Sequence, residues 1–182
     1  LARFGYANSK VRTIPQINDD TKEVELTISV DPGKRVYVRR INMTGNVNTK
    51  DEVLRRELRQ MEGAWLSNDA LELSKERIQR LPYIESVDFA TTPVAGVDDL
   101  VDIGFNIKEQ PSGSFNAGIS YGNYMGLSFQ IGVQQDNFFG SGNSAGVSLN
   151  TNKYQKSINF SYTDPYFTLD GVSLGGQVFY SD

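Results

Sequence analysis

The stretch SGSFNAGISYG, at residues 112–122, marks a change in the chemical character of the chain. Residues 1–113 hold 34 of the Asp, Glu, Lys and Arg residues, whereas residues 114–182 hold six of them and no Glu. The aromatic residues are distributed the other way, with 7 before the boundary and 13 after it. A step of this size within one chain indicates that its two parts face different solvents.

The residues after the boundary alternate between apolar and small polar side chains. In the first segment the apolar positions are Phe115, Ala117, Ile119 and Tyr121, separated by Asn116, Gly118 and Ser120. Four more segments follow, at 127–134, 144–149, 157–162 and 172–180, each about as long as a tilted strand that crosses a bilayer. Their polar positions are Ser, Asn, Gln and Gly, rather than the Lys and Glu that protect a water-facing sheet. Residues 112–182 are therefore predicted to form the first strands, about five, of an incomplete antiparallel transmembrane β-barrel. A soluble β-sandwich is the alternative.

The charged part contains one complete small α+β domain, predicted at residues 34–111 with the order β-α-α-β-β. After the first strand, residues 49–52 (TKDE) read as a capping box. The helix that follows carries Leu54, Leu58 and Met61 on one face and is predicted to end at Gly63.

A second helix of this domain is predicted to be capped by Ser67-Asn68-Asp69 and halted by Pro82. Its inward-facing residues are predicted to be Leu71, Ile78 and Leu81. Two strands follow at roughly 84–91 and 99–108. The two helices are then expected to cover one face of a three-stranded sheet.

The beginning of the chain repeats the end of this domain. Val24 and Val101 lie 77 residues apart, and both belong to alternating segments. The segment at 21–30 is predicted to bury one face, formed by Val24, Leu26, Ile28 and Val30. An internal repeat of this size suggests tandem copies of one domain, so residues 1–33 are predicted to be the C-terminal part of a preceding copy. The chain has no initiator Met and is interpreted as a piece of a longer protein.

Several long motifs, in the right order, resemble one known family. The element order, VRRINMTGN at 38–46 and LRRELRQMEGAWL at 54–66 are similar to the last POTRA domain of the BamA family of outer-membrane protein assembly factors. GSFNAGISYG at 113–122, GVQQDNFFGSGN at 132–143 and DPYFTLDGVSLGG at 164–176 resemble the first barrel strands of that family. The resemblance implies a Gram-negative outer-membrane barrel whose POTRA domains stand in the periplasm.

The resemblance also implies a function and partners. These proteins are β-barrel insertases, whose POTRA domains receive unfolded outer-membrane proteins and dock accessory lipoproteins. By family analogy, Arg55 and Glu62 contact a lipoprotein, although a solvated helix face with i,i+4 ion pairs is the plainer interpretation. The family's first barrel strand is a weak seam that pairs with clients, which here is Phe115 to Tyr121.

Aromatic pairs in two connections fit the same orientation. If the first strand runs outward from the periplasm, connections 135–143 and 163–171 return on the periplasmic side. They carry Phe138-Phe139 and Tyr166-Phe167, which we expect to form an aromatic girdle at the membrane interface. Plugging of hairpin ends in a soluble sheet is the alternative.

Composition excludes several other functions. The chain contains no Cys and no His, and its net charge of −4 argues against nonspecific nucleic-acid binding. Paired carboxylates at 19–20 and 98–99 lie in turns before strands, where Asp is common, so neither catalysis nor a cofactor is expected. The alternative function is a POTRA-containing transporter for two-partner secretion or translocation and assembly. A soluble periplasmic scaffold is a third possibility.

Overall fold

The computed structural model describes residues 1–182. The helices are α1 (Asp51–Arg55) and α2 (Asn68–Gln79), and neither is long and apolar enough to span a bilayer. The strands are β1 (Lys10–Asn18), β2 (Glu23–Asp31), β3 (Tyr37–Thr44), β4 (Ile84–Pro93), β5 (Leu100–Glu109), β6 (Gly113–Gly122), β7 (Gly126–Gln135), β8 (Ser144–Thr151), β9 (Lys156–Asp164) and β10 (Leu174–Ser181).

The chain forms two compact units. The first unit comprises Leu1–Thr44, Glu57–Ile78 and Val87–Asn106, and the second comprises Gly45–Arg56, Gln79–Ser86 and Ile107–Asp182. Three sheets are present, with strand orders β1-β2, β3-β5-β4 and β10-β9-β8-β7-β6. The order β-α-α-β-β predicted for the small domain is therefore confirmed.

The core of the first unit is built on β5 and α2. β5 alternates as predicted, because Val101, Ile103 and Phe105 are buried while the residues between them are half-buried or exposed. It pairs in parallel with β3, and α2 buries Leu71 and Ile78. The Ser67 hydroxyl caps α2 by accepting a hydrogen bond from the backbone N–H of Ala70 at 3.3 Å, as predicted.

The first helix is shorter than predicted, and its predicted capping box is wrong. α1 ends at Arg55, and Met61 is exposed rather than packed on the helix face. The N-cap residue is Lys50, which makes no side-chain capping hydrogen bond. The Thr49 hydroxyl instead accepts a hydrogen bond from the Asn137 side-chain amide at 2.8 Å. A distant turn therefore uses the hydroxyl that the sequence pattern assigns to the cap.

The hairpin near the N-terminus departs from the predicted burial. β1 and β2 pair over their full length, from Lys10 with Asp31 to Asn18 with Glu23. The apolar face predicted to be buried is exposed, with Leu26 at 61% and Ile28 at 65% of their full accessibility. Alternation in the sequence indicates which residues share a face of the strand. No element of the chain covers the apolar face of this two-stranded sheet, so its residues stay exposed.

The second unit is dominated by a five-stranded antiparallel meander. β6 to β10 pair each with the next along the chain, in the continuous registers of adjacent hairpins. The expected five strands and their alternation are therefore confirmed, although β10 begins at Leu174 and leaves Val172 in the preceding connection. The sheet has β6 at one edge and β10 at the other.

Candidate functional site

The first strand of the meander is paired on one side only. β6 lies antiparallel to β7, with Phe115 opposite Val133 and Tyr121 opposite Leu127. Every residue from Gly113 to Tyr121 is exposed. An edge strand presents alternate backbone N–H and C=O groups that can pair with another strand. The predicted seam, Phe115 to Tyr121, lies on this first strand of the meander, and its role in pairing with clients stays a prediction.

The glycine in the middle of β6 differs from the glycines of the inner strands. A Cβ at Gly118 would meet no atom within 4 Å. A Cβ at Gly146 on β8 would come within 2.8 Å of the Ser161 hydroxyl, and one at Gly132 would collide with the Asn116 side chain. Glycines at 132 and 146 thus relieve crowding on the polar face, whereas Gly118 meets no such need within this chain. Its effect on β6 is to lower strand stability.

The two faces of the meander have opposite chemistry. One face carries Asn116, Ser148 and Asn159 in a continuous cross-strand row with Gly132. The other carries a row of apolar side chains, namely Val133, Val147, Phe160 and Val178. A hydrated lumen requires the first face and lipid requires the second.

The turn between β7 and β8 is joined to the loop that precedes α1 within the second unit. The Asn137 amide donates to the Thr49 hydroxyl, and its carbonyl oxygen accepts from the backbone N–H of Gly142, both at 2.8 Å. The backbone N–H of Lys50 donates to the carbonyl oxygen of Gly140 at 3.0 Å. Thr49 is buried, so loss of the hydrogen bond from Asn137 would leave its hydroxyl without that partner in the interior.

Backbone conformation makes this turn specific to its sequence. Asn137 has φ 54° and Gly140 has φ 73°, both in the left-handed region. A Cβ at Gly140 would collide with the carbonyl oxygen of Asn48. Asparagine tolerates this region better than other residues with a Cβ, and glycine adopts it freely.

Glu109, at the end of β5, binds the backbone of the loop that precedes α1. The Glu109 carboxylate accepts hydrogen bonds from the backbone N–H groups of Asn48 and Thr49, at 3.0 and 2.8 Å. The Arg56 guanidinium lies 4.4 Å from the centre of the Tyr166 ring, in the turn between β9 and β10. Both turns that were predicted to be periplasmic therefore meet the segment 48–56.

The four predicted girdle aromatics lie in these two turns but differ in environment. The Phe138 and Phe139 rings are 4.4 Å apart, and Phe139 is the more exposed, at 86%. Phe167 is 61% exposed, whereas Tyr166 is half-buried beneath Arg56. The Phe138, Phe139 and Phe167 rings are exposed. The Tyr166 ring instead contacts the Arg56 guanidinium.

The two residues predicted to contact a lipoprotein each have a partner within the chain. The Arg55 Nε donates to the Asp51 carboxylate at 2.8 Å, which is the i,i+4 pair of the plainer interpretation. The Glu62 carboxylate accepts from the backbone N–H of Ile41 on β3 at 2.9 Å. The Arg55 and Asp51 side chains stay substantially exposed, and such pairs contribute little to stability.

An ion pair with two hydrogen bonds joins Arg39 on β3 to Asp102 on β5. Arg39 donates from Nε to the Asp102 Oδ1 at 2.9 Å, and its Nη2 pairs with the second carboxylate oxygen. The hydrogen bond from Arg39 lowers the pKa of the Asp102 carboxyl, and the same pairing raises the pKa of Arg39. This pair joins the neighbouring strands β3 and β5.

Two protein-family models match separate parts of the chain. A POTRA model, described as a surface antigen variable number repeat, matches residues 36–110. An Omp85 superfamily domain model matches residues 137–182. The outer membrane protein assembly factor BamA of Neisseria meningitidis serogroup B is 43% identical over 98% of the chain, and that of Buchnera aphidicola is 39% identical over all of it.

The crystal structure of BamA from Haemophilus ducreyi lacking POTRA domains 1–3 aligns with 100% of this chain, at 46% identity and a TM-score of 0.84. The chain belongs to the BamA family. It spans 22% and 30% of the lengths of the two BamA relatives, and 34% of the solved chain. As in other BamA proteins, its barrel strands lie in the outer membrane and its POTRA domain lies in the periplasm.

The hydrogen bonds of Asn137, which join the turn to the loop before α1, were not predicted from the sequence. The signal available was an Asn followed by glycines at 140 and 142, which indicates left-handed turn residues. Its partner Thr49 fits a helix cap in the local pattern, and that pattern does not point to a residue 88 positions away.

Proposed function

We propose that the chain is part of a β-barrel insertase that assembles outer-membrane proteins without covalent chemistry or a cofactor. Two relatives that match nearly the whole chain carry the name outer membrane protein assembly factor. The observation that carries the proposal is the match of nearly the whole chain to proteins of that name, and β6, as the first strand of the meander, is the strand proposed to offer its backbone edge to a client.

The first strand is proposed to template the client. A client's final strand would extend the sheet by hydrogen bonding to Phe115–Tyr121, so recognition depends on backbone groups and tolerates different client sequences. Gly118 lowers the stability of β6 as a strand, which eases exchange between one partner strand and another. The POTRA domain would receive clients before they reach this edge.

The accessory lipoproteins are proposed to dock on the exposed parts of Arg55 and Glu62. Arg55 already holds Asp51, and Glu62 already holds a backbone N–H of β3. A partner that binds there therefore meets side chains with restricted orientation, which lowers the entropy cost of binding. Phe138, Phe139 and Phe167 are proposed to anchor the periplasmic rim of the barrel at the membrane interface.

Reconstitution of the full-length parent protein with its lipoproteins into vesicles tests this function. Urea-denatured outer-membrane protein is added outside, and its conversion to a protease-resistant folded form in the bilayer is measured. A secreted passenger protein is tested in parallel. The proposal requires folding of the membrane client and no passage of the passenger. Passage of the passenger without assembly of the client would support a secretion transporter instead.

A further inference from the structure

The apolar face of the meander contains a groove at its turn end. Its volume is about 970 Å³, and its lining is almost entirely apolar. Residues from β7 to β10 and from both aromatic turns contribute to it, among them Val133, Ala145, Phe160, Tyr162, Phe167 and Gly176. The groove therefore opens on the lipid side of the barrel, at the periplasmic end.

Strand register explains the shape of the groove. Tyr162 on β9 stands opposite Ala145 on one side and Gly176 on the other. A large ring between two small residues leaves a channel on each side of it. A Cβ at Gly176 would meet no atom within 4 Å, so the space above this residue is open.

Several polar groups lie at the turn end of the groove, whereas Ser161 and Gln177 contribute to its lining along the strands. The Tyr162 hydroxyl accepts a hydrogen bond from the Asn143 amide at 2.5 Å, which points the hydroxyl towards the turn. Asp164 ends β9 at the same level, and its carboxylate accepts from the backbone N–H of Tyr166 at 3.0 Å. Phe138 and Phe167 also line this end. The groove is mostly apolar along the strands and has one carboxylate, Asp164, at its turn end.

We propose that this groove holds one acyl chain of a phospholipid from the periplasmic leaflet, with an ammonium-bearing headgroup beside Asp164. The groove is continuous with the membrane-facing wall of the barrel, so lipid is the solvent that fills it. An acyl chain gains from burial along the apolar strands. The Asp164 carboxylate attracts an ammonium group and disfavours a headgroup with net negative charge. The site is independent of the client edge on β6.

Photolabelling of the full-length parent protein tests the site. The protein is placed in nanodiscs with phosphatidylethanolamine that carries a diazirine on its acyl chain, irradiated and digested. We expect adducts to concentrate on the peptides that contain Ala145, Phe160 and Gly176. Adducts spread evenly over the lipid-facing positions of all strands would overturn the proposal.

Two substitutions make the test specific. Gly176→Leu fills the open space and should reduce groove labelling several-fold without a steric clash. Leu149→Phe adds volume to the same face of β8 outside the groove and should leave labelling unchanged. Ala145→Leu is a second filling variant, in case Gly176→Leu fails to fold. Undiminished labelling in a folded filling variant would contradict the proposal.

The headgroup is tested with a phosphatidylglycerol probe bearing the same diazirine chain. The phosphatidylethanolamine probe should label the groove more strongly, and Asp164→Asn should remove that preference while acyl labelling persists. Equal labelling by both probes in the unmodified protein would refute the role of Asp164.

Discussion

Substitution of Asn137 tests whether the turn between β7 and β8 is fastened to the loop before α1. Asn137→Ala removes two hydrogen bonds of 2.8 Å, one to the Thr49 hydroxyl and one from the Gly142 backbone. Each contributes about 0.5–1.5 kcal/mol net, so the loss is about 1–3 kcal/mol. Alanine in the left-handed region adds about 1 kcal/mol of strain.

Amide hydrogen exchange in the full-length protein measures this loss locally. The hydrogen bonds alone predict exchange roughly 5- to 150-fold faster in the segments 137–142 and 48–56 of Asn137→Ala. Thr49→Val, which keeps the shape and removes the hydroxyl, should accelerate the same two segments. The local stability lost in the double variant should be smaller than the sum of the losses in the two single variants, because both substitutions remove the same hydrogen bond.

A matched control lies at the opposite end of the barrel strands. The Asn152 side chain accepts hydrogen bonds from the backbone N–H groups of Tyr154 and Gln155, at 2.8 and 2.7 Å. Asn152→Ala should accelerate exchange in that turn and leave the segment 137–142 unchanged. Unchanged exchange in Asn137→Ala, or strictly additive effects with Thr49→Val, would refute the reasoning.

Three further predictions concern strain, charge and the core. Gly140→Ala should accelerate amide hydrogen exchange in its turn more than Gly96→Ala accelerates exchange in the turn around residue 96. Both glycines have positive φ, but only a Cβ at Gly140 would collide with a backbone carbonyl. Equal effects would contradict this. The lowered pKa of Asp102 means that its ion pair stabilises the fold above the unfolded pKa of about 3.9 and is lost as pH falls through the lower folded pKa. Urea unfolding of the periplasmic part at pH 7 and pH 3 should therefore show a smaller loss on acidification in Asp102→Asn; an unchanged loss would argue against the pair. Phe105→Ala should reduce the free energy of unfolding by about 3–5 kcal/mol, whereas Leu73→Ala, on the exposed face of α2, should stay within about 1 kcal/mol. Similar losses in urea unfolding would contradict the assigned core.

Alternation along the strands was the most informative sequence signal. It predicted β5 and the five strands from β6 to β10, because a period of two in side-chain polarity follows directly from strand geometry. It also fixed which residues share a face, such as Phe115 and Ile119, since neighbouring side chains on a strand point to opposite sides.

Burial and tertiary pairing were less predictable. The alternation of β2 is as regular as that of β5, but the face with Leu26 has no covering element within residues 1–182, whereas Phe105 is buried. The pattern carries no information on which element covers the face. The Thr49 hydroxyl could serve a helix cap or a distant partner, and only the fold brings Asn137 close enough to take it. Local patterns therefore predicted elements well and long-range hydrogen bonds poorly.

The most direct test of the central claim is disulfide trapping at the first barrel strand. The chain has no native cysteine, so cysteine at Asn116 or Ser120 of the full-length protein introduces a single reactive position in this segment. A stalled client carries one cysteine, scanned along its final strand. A client strand that pairs antiparallel with β6 in one register predicts a disulfide at one client position for Asn116→Cys. For Ser120→Cys it predicts a disulfide four residues earlier in the client. Crosslinks that ignore register, or that form only with a secreted passenger, would contradict templating by β6.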